Sequence, residues 1–304
     1  MIRGLISVGT NSTRALVADL DSEPPVTLLQ RSTGTRIGEG LREHGHLDEA
    51  AMLRTLDAMR EHLDAMRELT RDLRVIATSA LRRADNEAQF ARSVHDLTGA
   101  HLDVISGEEE AACSFTGALS GIEAGQSETF GVLDVGGGSS EYAVGTKRAP
   151  EQNVSCEIGA VRLTEHFTVL AGRNGPVAQD VIQAAAVQAE AALGPALELQ
   201  NADRIVLVGG TATTAVSLMR AQRETFAYAQ LTLDDIDAWV ARLAATPLEQ
   251  RKTLPGMNPQ RADILLAGLI IVQRFLALLD KRTPLVSTSD VLLGYLLRHP
   301  SGLP

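Results

Sequence analysis

Three short glycine-bearing segments hold the residues best suited to chemistry. Gly9-Thr10-Asn11-Ser12 and Gly136-Gly137-Gly138-Ser139 each stand between two strand-like runs, and Val208-Gly209-Gly210-Thr211 stands between a strand-like run and a helical one. Glycine lets successive backbone N–H groups approach a ligand unhindered, and consecutive N–H groups form a concavity that binds anions. A strand–Gly-Gly-Thr–helix junction adds a helix dipole aimed at the anion. One glycine turn is an ordinary hairpin. Two in equivalent places, with a third ahead of a helix, point to phosphate. Asn11, Ser139 and Thr211 can donate to phosphate oxygens or serve as plain turn residues. No G-x-x-x-x-G-K-[ST] run exists, which excludes a P-loop.

Acids stand close to two of these segments. Asp134 ends an apolar run at the mouth of the second turn, where a carboxylate is costly unless it meets a cation or hydrogen-bond donors. Glu108, Glu109 and Glu110 open a helical run, and on residue types alone their service to a helix N-terminus accounts for all three. The seven histidines form no metal pattern, and His44 and His46 flank a glycine in an expected loop. Cys113 and Cys156 fit no metal spacing and read as buried, inert thiols of a reducing cytoplasm.

The elements that must position these residues repeat along the chain. Residues 2–8 and 13–20 read as strands around the first turn, with a third near 26–31. Apolar spacing at Met52, Leu53, Leu56, Met59, Leu63 and Met66 makes 48–69 one amphipathic helix. A short strand at 73–77, a helix capped by Asn86, a strand at 102–105 and a helix from about Glu108 follow. The pattern then restarts. Strands at 130–134 and 140–145 enclose the second turn, a third is expected at 154–158, and a buried strand at 205–208 leads to the third glycine segment. Helices are expected at 177–193, 211–219, 234–244, 261–279 and 290–298. The echo of Ile6-Ser7-Val8-Gly9 in Leu133-Asp134-Val135-Gly136 implies two similar halves. The boundary falls between Gly121 and Glu128, giving domains at 1–124 and 125–288.

Composition narrows the function classes. The chain has 304 residues, 44% of them hydrophobic, enough for two cores. A net charge of -10 and 3% aromatics argue against nucleic acid as partner. No apolar run approaches the roughly 20 residues of a membrane span, and the first residues run into strand-like sequence rather than a signal peptide, so a cytoplasmic location is expected. Lysine occurs only at Lys147, Lys252 and Lys281, so arginines are the available phosphate ligands. A polyanionic substrate must be held by a local arginine cluster and metal.

Spaced motifs make the reading specific. Gly9-Thr10-Asn11-Ser12, Arg36-Ile37-Gly38-Glu39-Gly40-Leu41, Ala77-Thr78-Ser79-Ala80-Leu81-Arg82-Arg83 and Ser106-Gly107-Glu108-Glu109-Glu110-Ala111 occur in that order. Asp134 to Glu141, Gly159 to Glu165, Val208-Gly209-Gly210-Thr211, Pro255-Gly256 and Arg261-Ala262-Asp263 complete the series. Together they resemble the exopolyphosphatase and guanosine-pentaphosphate phosphohydrolase family of the actin/sugar-kinase/heat-shock ATPase superfamily, nearly end to end. The resemblance implies an α/β chain of two actin-like, ribonuclease H-like lobes facing across a central cleft, with a final helix at 289–304 packing back on the first lobe. It implies metal-dependent hydrolysis of a terminal phosphoanhydride, with Mg²⁺ or Mn²⁺ as cofactor. Glu110 falls on the family's proposed base and Arg82 on its phosphate-gripping arginine. Asp134 suits a magnesium ligand, and Glu141 is the motif's second acid, whose alternative is a surface strand residue. Phosphate contacts fall on Gly9, Thr10, Asn11, Ser12, Gly136, Gly137, Gly138, Ser139, Gly209, Gly210 and Thr211. Arg162 and Arg261 can track further phosphates or serve in structural pairs.

The chain also departs from the family pattern. Ser7 stands where the first turn begins with aspartate, Ala112 replaces an arginine, and Leu292 and Leu293 replace an Arg-Glu pair. Four functions follow from the resemblance. Exopolyphosphatase leads, and a guanosine-pentaphosphate phosphohydrolase shares its chemistry. A weakly turning-over sensor is motivated by Ser7, and a kinase or ATPase of the wider superfamily comes last. Homodimers occur among relatives.

Overall fold

The computed structural model describes residues 1–125, 127–223 and 226–300. Gln126, within the expected boundary stretch, and residues 301–304 of the expected closing helix lie outside these. Cα packing divides the chain into Met1–Glu123 with the chain from Val291, and Ala124–Asp290.

The first unit opens with β1 (Ile2–Val8), β2 (Ser12–Asp19) and β3 (Val26–Gly34), then α1 (Leu41–His44) and α2 (Glu49–Met66). It continues through β4 (Leu73–Ala77), α3 (Ser79–Arg83), α4 (Glu87–Thr98), β5 (Leu102–Val104) and α5 (Gly107–Leu119). Its sheet has the order β3-β2-β1-β4-β5, with the first three strands antiparallel and β1, β4 and β5 parallel. α2 forms because Asp48 accepts the Ala51 N–H as N-cap and because Met52, Thr55, Met59, His62 and Met66 fall on one buried face. Asn86 stands at the N-cap position of α4, as the sequence suggests, but its side chain makes no cap hydrogen bond. Its amide is spent on Leu47, accepting the backbone N–H at 2.8 Å and donating to the carbonyl at 3.0 Å.

The second unit contains β6 (Thr129–Val135), β7 (Ser140–Thr146), β8 (Ala149–Cys156), α6 (Ala160–His166), α7 (Gln179–Leu197), β9 (Arg204–Val208) and α8 (Gly209–Met219). β10 (Tyr228–Gln230), α9 (Leu233–Ala245), α10 (Leu248–Lys252), α11 (Leu265–Leu278) and β11 (Leu285–Ser287) complete it. Its sheet runs β10-β11-β9-β6-β7-β8, and β6, β9 and β11 are parallel. β8 starts earlier than the sequence suggested, because Lys147 and Arg148 turn the chain straight back onto β7, pairing Thr146 with Ala149. The helix expected from Arg261 instead begins at Leu265 after a 3₁₀ turn at Pro259–Arg261.

The last helix, α12 (Val291–Arg298), belongs to the first unit. Leu292, Leu293, Tyr295 and Leu296 join Leu5, Leu16, Ile76 and Cys113 in one apolar cluster on the α5 face of the sheet. The opposite face is covered by α2 and α4 around Ile6, Val8, Val75 and Phe90. Replacement of the family's Arg-Glu pair by Leu292 and Leu293 therefore supplies core, since both are buried. Gly294 lets α12 reach the Cys113 carbonyl so closely that any side chain there would collide with it.

Candidate active site

In the first unit the chemistry gathers beyond the carboxyl ends of the parallel strands, the usual place for ligands in open α/β sheets. The first turn closes when the Gly9 N–H donates to the Ser12 carbonyl at 3.0 Å. The segment after β3 folds back over it. Thr35 and Arg36 donate to the Asn11 carbonyl at 3.1 and 3.0 Å, and Gly38 donates to the Thr10 carbonyl at 3.1 Å. The carbonyls are thereby consumed. The N–H groups of Thr10 and Asn11 have no acceptor among the described residues.

α3 and α5 begin beside this turn. The Thr78 N–H donates to Val8 at the end of β1, and the Ile105 N–H donates to Ala77 at the end of β4. Arg82 Nη1 donates to the Ile105 carbonyl at 2.9 Å and to Glu110 Oε2 at 2.7 Å. Both side chains are largely buried, 19% and 10% exposed, so the charged contact is shielded from bulk water and orients the carboxylate firmly. Arg83 turns away and donates to Ser79 of its own helix.

The three adjacent glutamates separate. Ser106 caps α5 by accepting the Glu109 N–H. Glu108 is mostly exposed; its own backbone N–H, then the Ser106 hydroxyl, hold its carboxyl below the ordinary range, as helix-start charge should behave. Glu109 faces α12. Burial pushes its carboxyl up, yet Arg298 and His299 outweigh that and leave it lowered. Glu110 forms the ion pair with Arg82 described above.

The second unit repeats the turn. The Gly136 N–H donates to the Ser139 carbonyl at 3.0 Å. Ala160 donates to Gly136, and Val161 and Arg162 donate to Gly137, all at 2.9–3.1 Å. The N–H groups of Gly137, Gly138 and Ser139 have no acceptor among the described residues. Asp134 and Glu141 are direct cross-strand partners, so their carboxylates share one face of the sheet, opposite Leu133 and Tyr142 of the core. Both are buried, at 7% and 1% exposure, which overturns the surface alternative for Glu141. Ser155 donates to Glu141 Oε1 at 2.8 Å.

The third segment touches this pair. Gly209 opens α8 with φ +81°, a conformation that favours glycine, and a side chain there would strike Asp134 Oδ1. Gly210 lies under the Arg261 guanidinium, which would be displaced by any added side chain. Arg261 is thus fixed over the start of α8, whereas Arg162 is paired with Glu157. Thr211 serves differently from the expectation. Its hydroxyl is buried and donates to the Val135 carbonyl at 3.2 Å, which fastens α8 to β6 and leaves only its backbone N–H for an anion.

Two buried, adjacent carboxylates repel one another unless cations or donors compensate them. An all-oxygen pair beside anion-binding N–H groups fits a hard divalent cation such as Mg²⁺ or Mn²⁺, which binds through one or two carboxylates plus substrate phosphate.

A family model for the Ppx/GppA phosphatase family matches residues 16–298. The chain belongs to that family and so to the hydrolases of phosphoanhydride bonds. It is 32% identical to exopolyphosphatase 2 of Mycobacterium tuberculosis over 96% of each chain. It is 26% identical, over 97% of its own length, to a bifunctional 3-dehydroquinate synthase/phosphatase of Fusobacterium nucleatum. A guanosine-5'-triphosphate,3'-diphosphate pyrophosphatase of Vibrio vulnificus is 28% identical over 90% of this chain. The chain spans about half the length of these last two relatives, 46% and 54% respectively. The solved structure of the Aquifex aeolicus PPX-GPPA enzyme superposes with a TM-score of 0.80 at 26% identity, covering 98% of this chain and 99% of that one. The architecture is the two-lobed, actin-like α/β fold, each lobe built on a mixed sheet. No helix among the described residues is long and apolar enough to cross a membrane.

Proposed function

We propose that this chain is an exopolyphosphatase that hydrolyses the terminal phosphoanhydride of inorganic polyphosphate and releases orthophosphate. The observation that carries the reading is the matched pair of turns whose carbonyls are occupied while the N–H groups of Thr10, Asn11, Gly137, Gly138 and Ser139 lack protein acceptors. Such N–H groups take phosphoryl oxygens. Arg82, Arg261 and the start of α8 add the positive potential that a chain of net charge -10 must supply locally.

Phosphoryl transfer demands positioning and charge neutralisation more than covalent participation. Glu110, held by Arg82, accepts the proton of the attacking water and aligns it with the scissile bond. The turn N–H groups hold the terminal phosphoryl, and Arg261 lies ready for an adjoining phosphate. Asp134 and Glu141 would hold Mg²⁺ or Mn²⁺, which when bound neutralises phosphate oxygens. A Glu110→Gln/Asp134→Asn double variant that costs far less than the sum of the singles would support a shared catalytic step for the two carboxylates.

Whole-length similarity to an exopolyphosphatase favours polyphosphate over guanosine pentaphosphate, and kcat/KM values for both, measured side by side with Mg²⁺ or Mn²⁺, decide between them. Glu110→Gln is expected to bind polyphosphate and lose roughly 10²–10⁴-fold in kcat. A near-wild-type rate would remove Glu110 from the mechanism. A second reading, a binder with feeble turnover, is favoured by Ser7, which pairs across the strands with Arg14 where the second turn has two acids. Tight polyphosphate binding without metal-dependent phosphate release, with turnover restored by Ser7→Asp, would support it.

A further inference from the structure

Glu109 sits one residue before the proposed base and has entirely different company. Cys113 follows it by one helical turn on the same face of α5, and its thiol donates to Glu109 Oε1 at 3.3 Å. From the far end of the chain, His299 Nε2 lies 3.0 Å from that same oxygen. The imidazole is held in place by the Tyr295 ring, 4.5 Å away centroid to centroid, and Tyr295 is anchored by donating to Asp103 at 2.7 Å. One donor atom from each of Glu109, Cys113 and His299 lies within 4.8 Å of the other two. Sequence reasoning missed the cluster because one of its members is 186 positions from the nearest other, too far for any spacing pattern.

Around a tetrahedral zinc ion, with bonds of about 2.0–2.3 Å, neighbouring donors stand roughly 3.3–3.7 Å apart, so small side-chain rotations close this trio onto one ion. Thiolate, imidazole and carboxylate together select a borderline metal, whereas the oxygen-only pair Asp134 and Glu141 selects a hard one. We propose that Glu109, Cys113 and His299 form a second metal site, for a divalent ion of the zinc class, that fastens the closing helix α12 to α5.

The site is built for entry from solvent. Cys113 is fully buried at its base, and Glu109 and His299 are about 30% exposed at its mouth. Arg298 donates to both carboxylate oxygens of Glu109 at 3.3 Å and is the cation that a metal must displace. Its side chain is 32% exposed and can swing into water. Binding forms metal–sulfur, metal–nitrogen and metal–oxygen bonds and releases the Cys113 thiol proton to solvent, with no change in oxidation state. The fourth position is left to water.

Cobalt titration of the chelator-treated full chain reads the site without reference to catalysis. One equivalent of Co²⁺ should give the near-ultraviolet thiolate-to-cobalt charge-transfer band, and one equivalent of Zn²⁺ should abolish it. Cys113→Ser should remove the band, Asp134→Asn should leave it, and Arg298→Gln should tighten Co²⁺ binding by relieving the competition. His299→Gln, a partly exposed position that spares the core, should weaken Co²⁺ affinity at least about 100-fold, since even outer-shell changes cost 10–100-fold. Absence of the band in folded wild-type protein would overturn the proposal. So would a band that survives Cys113→Ser, leaving Cys156 as the ligand, or an affinity indifferent to His299→Gln.

Discussion

Ser7-Val8-Gly9 in the first unit and Asp134-Val135-Gly136 in the second end equivalent strands, β1 and β6, of two separate sheets and enter turns closed by equivalent bonds, Gly9 to Ser12 and Gly136 to Ser139, both at 3.0 Å. In each, the segment after the third strand donates N–H groups to the turn carbonyls. Even the side chains that tie this segment down correspond. Thr13 bonds to the Thr35 hydroxyl at 2.9 Å, and Ser140 donates to the Ile158 carbonyl at 2.7 Å. What differs is charge. The cross-strand pair beside the turn is Ser7 with Arg14 in one unit and Asp134 with Glu141 in the other. The backbone device is set by glycine and by the returning segment, and the side chains flanking it decide its ligand. On the proposed reading, the first unit supplies an anion site and a base, and the second an anion site and a cation site.

The strongest way to break that contrast is Asp134→Asn. If the acid pair holds the divalent cation, phosphate release should fall roughly 100-fold or more at fixed metal and recover in part as metal is raised, by analogy with the cost of weakening a metal shell. Metal dependence unchanged from wild type would put the cation elsewhere and leave the two turns functionally alike.

A smaller effect tests the returning segments. A methyl on Gly159 would lie 2.5–2.8 Å from the Gly137 carbonyl and the Gly138 nitrogen, so backbone must move. A methyl on Gly38 would meet chiefly the end of the Thr10 side chain, which can rotate. Gly159→Ala should therefore cost about 1–3 kcal/mol by chemical denaturation and raise KM for polyphosphate, and Gly38→Ala should cost distinctly less. Equal losses at both positions would mean that the two turns are strapped by something other than these contacts.

This doubling was legible in the sequence because it is written in local code: glycine turns between apolar runs and a repeated strand–turn–strand echo. Long-range facts were not. Nothing near Thr211 signals that its hydroxyl goes to Val135, since that bond spans 76 positions. Three consecutive glutamates look equivalent in a string, and only the packing of α5 between Arg82 on one side and α12 on the other gives them separate partners. The sequence around Arg261 does not choose between phosphate and structure for the same reason, because its place over Gly210 depends on a 3₁₀ turn that brings it back onto α8.

The helices behind the turns offer the subtlest contrast. The buried residues of α7 in the second unit are Ile182, Ala185, Ala186, Ala189, Leu193 and Ala196, none of which titrates. α2 in the first unit buries His62, whose Nε2 lies 3.2 Å from the Thr13 carbonyl just after the first turn and whose Nδ1 has no partner among the described residues. Burial is the main cause that lowers its pKa from the ordinary 6.5; the Thr13 carbonyl opposes this, and Arg31 and Glu61 add smaller, opposite effects. A histidine with a lowered folded pKa binds fewer protons folded than unfolded between that value and 6.5. Its contribution to stability is therefore complete above 6.5 and is lost as pH falls from there toward the folded value, by about 1.4 kcal/mol for each unit the pKa is lowered. Denaturation between pH 7 and about 5.5 should accordingly weaken the wild type more than His62→Gln, with amides of the first unit losing hydrogen-exchange protection before those of the second. Parallel pH slopes for the two proteins would show that His62 takes up its proton as readily in the fold as in the unfolded chain and that the two units do not differ in this respect.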